Sequence, residues 1–136
     1  MNMIDSIAID TNVLVYCHSS DELEKRKIAN GLLAIHPVIS TQVLSEYLNV
    51  VKRRLGLTKV EILDICRQNI DFCRLEAVRK STLDLARKLI LRYDFQLFDS
   101  IVVASAVETG CKILYSENFH HGQIIENELK IINPFL

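Results

Sequence analysis

The sequence predicts an α/β fold: a central, mainly parallel β-sheet flanked by helices. Three observations lead there. Short apolar runs such as Ile7-Ala8-Ile9 and Val38-Ile39 end at polar residues, as buried strands do. Between such runs lie longer stretches in which apolar residues recur at helical intervals, with helix-start and helix-stop residues at their ends. Strands alternating with helices in this way are joined by helical crossovers and therefore run parallel.

Taken in order, MNMIDSIAID has no basic region followed by a long apolar stretch, so it reads as a first strand rather than a secretory signal. Its apolar end, Ile7-Ala8-Ile9, stops at Asp10. Ser19 and Glu22 stand at capping-box spacing and open a charged amphipathic helix through about Ala34. Val38-Ile39 is the second strand. It runs into Thr41, the expected N-cap of a helix through Arg54 that ends near Gly56. Thr58 and Glu61 repeat the capping-box spacing, and Leu57, Val60, Leu63, Cys66 and Ile70 recur at helical intervals to about Phe72. Leu75 to Val78 is a third strand. Ser81 or Thr82 then starts a helix through about Tyr93. Asp99 opens a strongly apolar helix closed by Gly110, and Lys112–Tyr115 and Lys130–Ile132 are further strands.

At 136 residues with 49% hydrophobic and 24% charged side chains, one packed domain over residues 1–136 is expected. Four glycines and two prolines leave no linker. No apolar run approaches the roughly 20 residues a membrane span needs, which points to a cytoplasmic protein. Cys17, Cys66, Cys73 and Cys111 lie far apart without a C-x-x-C pair, so reduced thiols are expected rather than disulfides or zinc ligands. Sixteen basic and seventeen acidic residues give a net charge of −1, which excludes no function class and gives no support for gripping nucleic acid by bulk positive charge. A nucleic-acid substrate would have to be held by local basic patches around an acidic centre.

Among the acidic residues, Asp10, Glu46 and Asp99 occupy apolar surroundings: IAIDTNVLV, VLSEYLNVV and LFDSIVVASA. Each has an ordinary explanation alone, as a turn former, an exposed helix residue and a helix N-terminal carboxylate. In an α/β sheet the ligand site lies at the carboxyl ends of the strands, where Asp10 sits. Together the three make a cluster of hard oxygen donors suited to Mg²⁺ or Mn²⁺ and not to zinc.

These segments resemble the PIN-domain nucleases, whose pattern is an acid in D-T-N after the first strand, an acid in a following helix, an acid heading a later apolar helix, and a last acid after the next strand. The matching segments are IAIDTNVLVY, STQVLSEYLNV, LFDSIVVASAVETG and ILYSENF, spread over nearly the whole chain. SEYLNV and YSENFHHGQ look most like the VapC-type toxin ribonucleases of type II toxin–antitoxin pairs. The resemblance implies a three-layer PIN-like sandwich, a metal-dependent endoribonuclease, an RNA substrate, a cognate antitoxin and a homodimer.

Carried over residue by residue, it assigns Asp10 and Asp99 to the principal Mg²⁺ or Mn²⁺. Glu46 binds the ion or orients the attacking water, and Asn118 completes the outer part of the site. The fourth position departs from the pattern, because Asn118 stands where an Asp is usual. Asn brings a carbonyl oxygen without charge, so the change weakens the metal, passes the role to Glu117, or marks a protein without activity. In an extended segment Glu117 points the opposite way from Asn118. Thr11, Asn12 and Ser116 are candidates for orienting the carboxylates. His120 and His121 read as exposed loop residues, and His18 and His36 as surface or turn residues. Lys25-Arg26-Lys27 reads as a solvated helix face, while Lys52-Arg53-Arg54 is equally suited to phosphate contact. Apolar residues around Leu32-Leu33, Leu48–Val51 and Leu89–Leu91 fit an antitoxin groove or an ordinary core. The competing readings are a non-catalytic RNA- or protein-binding module and a metal-dependent phosphohydrolase.

Overall fold

The computed structural model describes residues 6–136; the expectation for Met1–Asp5 lies outside them. The chain runs β1 (Ile7–Ile9), α1 (Thr11–Tyr16), α2 (Leu23–Leu33), β2 (Val38–Ser40), α3 (Thr41–Leu55), α4 (Lys59–Ile70), β3 (Arg74–Glu76), α5 (Lys80–Tyr93), α6 (Leu97–Glu108), β4 (Ile113–Tyr115), β5 (Ile124–Ile125) and β6 (Leu129–Ile132). One six-stranded sheet has the order β3-β2-β1-β4-β6-β5, with every pairing parallel except β5 with β6. This is the expected mainly parallel α/β sheet flanked by helices.

The chain moves outward from β1 to β2 and β3 on one side, then returns to add β4 and β6 on the other. Right-handed crossovers in opposite directions place the helices of the two excursions on opposite faces of the sheet. The crevice where the direction reverses lies at the carboxyl ends of β1 and β4, which is where open α/β sheets bind ligands. Asp10 follows β1 and Ser116 follows β4.

The core explains the apolar sequence. Ile9, Ile39 and Leu114 of the central strands are buried, as is every residue of α6 from Ser100 to Ala106. A helix buried on nearly all sides has little amphipathic pattern to show. Gly56 and Gly110, at φ 60° and 76°, stop α3 and α6 where a side chain would be strained. Thr58 and Glu61 form the full capping box of α4.

Several boundaries differ from the sequence reading. The cap of α3 is Ser40, whose hydroxyl accepts the Val43 N–H at 3.1 Å. Thr41 is the first helical residue instead, and its hydroxyl accepts the Val78 N–H at 3.1 Å. Ser19 accepts the Glu22 N–H, but α2 begins only at Leu23. The third strand lies at Arg74–Glu76, and α6 begins at Leu97, a half-turn before Asp99.

Two elements were not anticipated. Helix α1 is six residues long, too short for periodicity, and rests on its cap and on the fully buried Val13 and Leu14. Strand β5 is a two-residue edge joined to β6 by a turn with positive φ at Glu126 and Asn127. Among the described residues the four cysteines are free, with burial pushing the Cys17 thiol up to about 12, and no helix is long and apolar enough to cross a membrane.

Candidate metal centre and active site

Asp10 is built in by three features of its sequence position. Its N–H donates to the Tyr115 carbonyl at 3.0 Å, ending the β1–β4 ladder. It then caps α1, Oδ1 accepting the Thr11 N–H at 2.7 Å. Oδ2 accepts the Ser116 hydroxyl at 2.7 Å. Ser116 Oγ in turn accepts from Asn12 Nδ2 at 3.4 Å and the Asn118 N–H at 3.1 Å.

Glu46 lies in the second turn of α3. Its Oε2 accepts the Thr11 hydroxyl at 2.9 Å, which links it to the residue beside Asp10. Its Oε1 accepts from Gln42 Nε2 at 3.0 Å, one helical turn earlier, and the same amide donates to the Phe98 carbonyl at 3.1 Å. Gln42 therefore ties Glu46 to the first turn of α6, where Asp99 sits. The sequence reading passed over Gln42; its i, i+4 spacing to Glu46 was the available signal.

Electrostatics join these carboxylates. Asp10 is 4% exposed. Burial raises its carboxyl to about 6, with Glu46 and Asp99 adding like charge against the lowering by Ser116 and the Thr11 N–H. Asp99 is half-buried, and burial, then the charge of Glu46, raise it as well. The ion pairs of the described residues leave all three out. A buried carboxylate facing two like charges is costly without a cation.

Among the described residues no three His, Cys, Asp or Glu side chains are arranged as a ready-made metal cage. The oxygens of Asp10 and Glu46 are turned instead to Thr11, Ser116 and Gln42. The donor set nonetheless fits a hard divalent cation that keeps part of its water shell, because it consists of carboxylates whose charge is otherwise uncompensated.

Asn118 is exposed and shares a cleft of about 470 Å³ with Asp99. Glu117 points elsewhere: its carboxylate accepts the Tyr16 hydroxyl at 2.8 Å and lies 3.7 Å from Lys25 Nζ. Of the histidines, His120 lines the Asp99 cleft, while His121 Nδ1 accepts the Asn133 N–H at 3.0 Å. His18 lies in the turn after α1, as expected of a surface or turn residue, and is half-buried there. It stacks on the fully buried Tyr47 and hydrogen-bonds its hydroxyl, and burial lowers its pKa. Lys52, Arg53 and Arg54 are exposed in the last turn of α3. Leu33, Val51 and Leu89 belong to the core, whereas Leu48 borders an apolar recess with Leu44, Leu63 and Ile70.

A family model described as PIN domain matches residues 7–124. Among curated proteins none matches the sequence. Among solved structures the chain is similar to the sarcin–ricin-loop-cleaving toxin VapC20 of Mycobacterium tuberculosis, with TM-score 0.66 and 19% identity over 83% of this chain and 90% of that one. It is also similar to a toxin–antitoxin complex from Klebsiella pneumoniae, with TM-score 0.69 and 18% identity over 95% of this chain and 97% of that one. At such identities the two structures speak for the fold.

Proposed function

Because the chain belongs to the PIN-domain family, we propose that it is a Mg²⁺- or Mn²⁺-dependent endoribonuclease of the VapC type, the toxin of a type II toxin–antitoxin pair. The observation that carries this reading is the linkage of three carboxylates beside the carboxyl end of β1. Glu46 is hydrogen-bonded to Thr11 next to Asp10 and tied through Gln42 to the first turn of α6, where Asp99 sits, with burial and like charge raising both Asp10 and Asp99. Asp10 and Asp99 would hold the principal cation, with Glu46 beside it and the Asn118 carbonyl oxygen at the outer edge. When bound, the cation supplies an acidified water and neutralises charge on the phosphate.

The chain's own residues supply the rest. Ser116 and the Thr11 N–H hold the Asp10 carboxylate in one orientation, leaving further lone pairs on each oxygen. Thr11 and Gln42 fix Glu46, which orients the attacking water or takes a place on the cation. Burial of Asp10 excludes competing solvent from the centre of the site. Asn118 contributes no charge, so the site carries one carboxylate fewer than the usual pattern.

The toxin assignment is supported by the fold shared with VapC20, described as cleaving the sarcin–ricin loop, and with the Klebsiella pneumoniae complex. In this reading the substrate is RNA and the protein acts in the cytoplasm as a homodimer. A cognate antitoxin then covers a groove near the acidic site. The apolar recess at Leu44, Leu48, Leu63 and Ile70 is compatible with such a partner.

The test is cleavage of a mixed RNA panel with Mg²⁺ or Mn²⁺ by the wild type, Asp10→Asn, Asp99→Asn and Asn118→Asp. Cation-dependent cutting lost in both Asp→Asn variants is the expected result. Cutting by Asn118→Asp alone would make this chain a disabled form of the fold. No cutting by any folded variant would favour a non-catalytic binding module.

A further inference from the structure

We propose that the cleft beside Asp99 and Asn118 is a nucleobase subsite, which receives one unpaired base next to the phosphate presented to the carboxylates. The proposal rests on the ribonuclease reading and names a part of the substrate which that reading leaves open. The cleft, about 470 Å³, is walled by Tyr93, Phe95 and Phe119. Phe95 meets Tyr93 at 5.6 Å between ring centroids and Phe119 at 5.5 Å, the latter edge to face at 86°. All three rings are half-buried and pack against the core. They are ordered in advance, so stacking a base on them costs little side-chain freedom. Aromatic rings held in this way are the usual platforms for unstacked bases.

Charge sorts the ligand further. The residues lining this cleft include Asp94 and Asp99 and neither Lys nor Arg. Beyond the cation that Asp99 would hold, a phosphate lodged there would meet the charge of Asp94 and no cationic side chain, whereas a neutral heteroaromatic ring would not be repelled. The polar lining suits such a ring: Gln96, Asn118 and Gln123 carry amides and His120 an imidazole, each able to donate and accept. Hydrogen bonds among the described residues engage the backbones of this segment and leave those four side chains available. The Asn118 N–H donates to Ser116 Oγ, and the Gln123 N–H donates to the His120 carbonyl at 3.2 Å.

The segment is also held firmly. The Gly122 N–H donates to the Ile131 carbonyl at 2.7 Å, and the Ile131 N–H donates back to the Gln123 carbonyl at 2.9 Å. Gly122, at φ 86°, makes the bend that a side chain would strain. Asn118, His120 and Gln123 are thus presented from the held segment between β4 and β5, and Gln96 from the start of α6, beside the stacking wall and Asp99.

The experiment is fluorescence anisotropy in excess chelator, so that no strand is cut. A labelled single-stranded RNA of mixed sequence is compared with an abasic ribose-phosphate strand of equal length. The wild type should bind the base-bearing strand about tenfold more tightly, in line with base–aromatic stacking. Phe119→Ala should remove most of that preference and Phe119→Trp should keep it. Because Phe119 also packs on Phe95, His120→Ala and Gln123→Ala are measured beside it, and each should reduce the preference with an unchanged melting temperature. Equal wild-type affinity for the two strands, or a preference that survives Phe119→Ala and Gln123→Ala, overturns the subsite. The arms separate it from the parent reading. Base preference lost in Phe119→Ala, without cleavage by the wild type in Mn²⁺, keeps the subsite and sinks the nuclease. Cleavage without base preference does the reverse.

Discussion

Asp10→Asn should make the metal-free protein more stable while abolishing its activity. The carboxyl of Asp10 is raised from 3.8 to about 6, chiefly by burial. A group whose folded pKa lies above its unfolded value favours folding when protonated, so the penalty is absent below about pH 3.8 and complete above about 6. A shift of that size corresponds to about 3 kcal/mol above pH 6. Asn keeps one of the two hydrogen bonds, its carbonyl oxygen accepting the Thr11 N–H. Its amide reaches Ser116 Oγ only by displacing the Asn12 or Asn118 donor and takes away the acceptor of the Ser116 hydroxyl, at a cost of about 1 kcal/mol. Urea denaturation in chelator at pH 8 should therefore show Asp10→Asn more stable by about 1–2 kcal/mol, or roughly 3–8 °C in melting temperature. At pH 4 the advantage should vanish. Millimolar Mn²⁺ should then raise the wild type toward the variant, since a ligand that binds only the folded state stabilises it. An Asp10→Asn protein that is less stable than wild type at pH 8 in chelator would refute the reasoning, because it would mean that the carboxylate is stabilised where it stands.

Three further outcomes are expected. Asn118→Asp adds a carboxylate beside Asp99 and should tighten Mn²⁺ about tenfold, read by calorimetry, while lowering stability in chelator. Gln42→Ala frees one oxygen of Glu46 and breaks the link to Phe98; it should lower kcat about tenfold and stability by about 1 kcal/mol, with RNA affinity retained. Thr58→Ala removes the cap of α4 and should cost about 1 kcal/mol in urea denaturation with cleavage unchanged.

The sheet was legible because its central strands read as short apolar runs, from Ile7-Ala8-Ile9, buried throughout, to Ile113-Leu114-Tyr115, where Leu114 is buried between two half-buried residues. The helices were legible where caps and glycines punctuate them, as at Thr58 and Gly56. Helix α1 was not, because Asp10 carries two structural duties at once, ending a strand and capping a helix of six residues. Strand β5 depends on a turn formed by Glu126 and Asn127, neither flanked by glycine, so nothing local announced it.

At the site, sequence order named the acidic residues but could not say how each is held. Glu46 is fixed by Thr11 and Gln42, residues 35 and 4 positions away, and only the first of these had been singled out. His18 lies in a turn as expected, but its pairing with Tyr47, 29 positions along the chain, left no local signal. Glu117 was expected to point away from Asn118 if the segment were extended; residues 117–119 form a bend instead, and the Glu117 carboxylate is found on Tyr16 and Lys25.

The most direct test of the central claim is Mn²⁺ binding followed by electron paramagnetic resonance for the wild type, Asp10→Asn and Asp99→Asn. The account predicts saturable binding by the wild type at or below millimolar concentration, weakened at least tenfold in either variant. Wild-type binding no tighter than that of both variants would contradict it, and the three carboxylates would then have no cation to answer their charge.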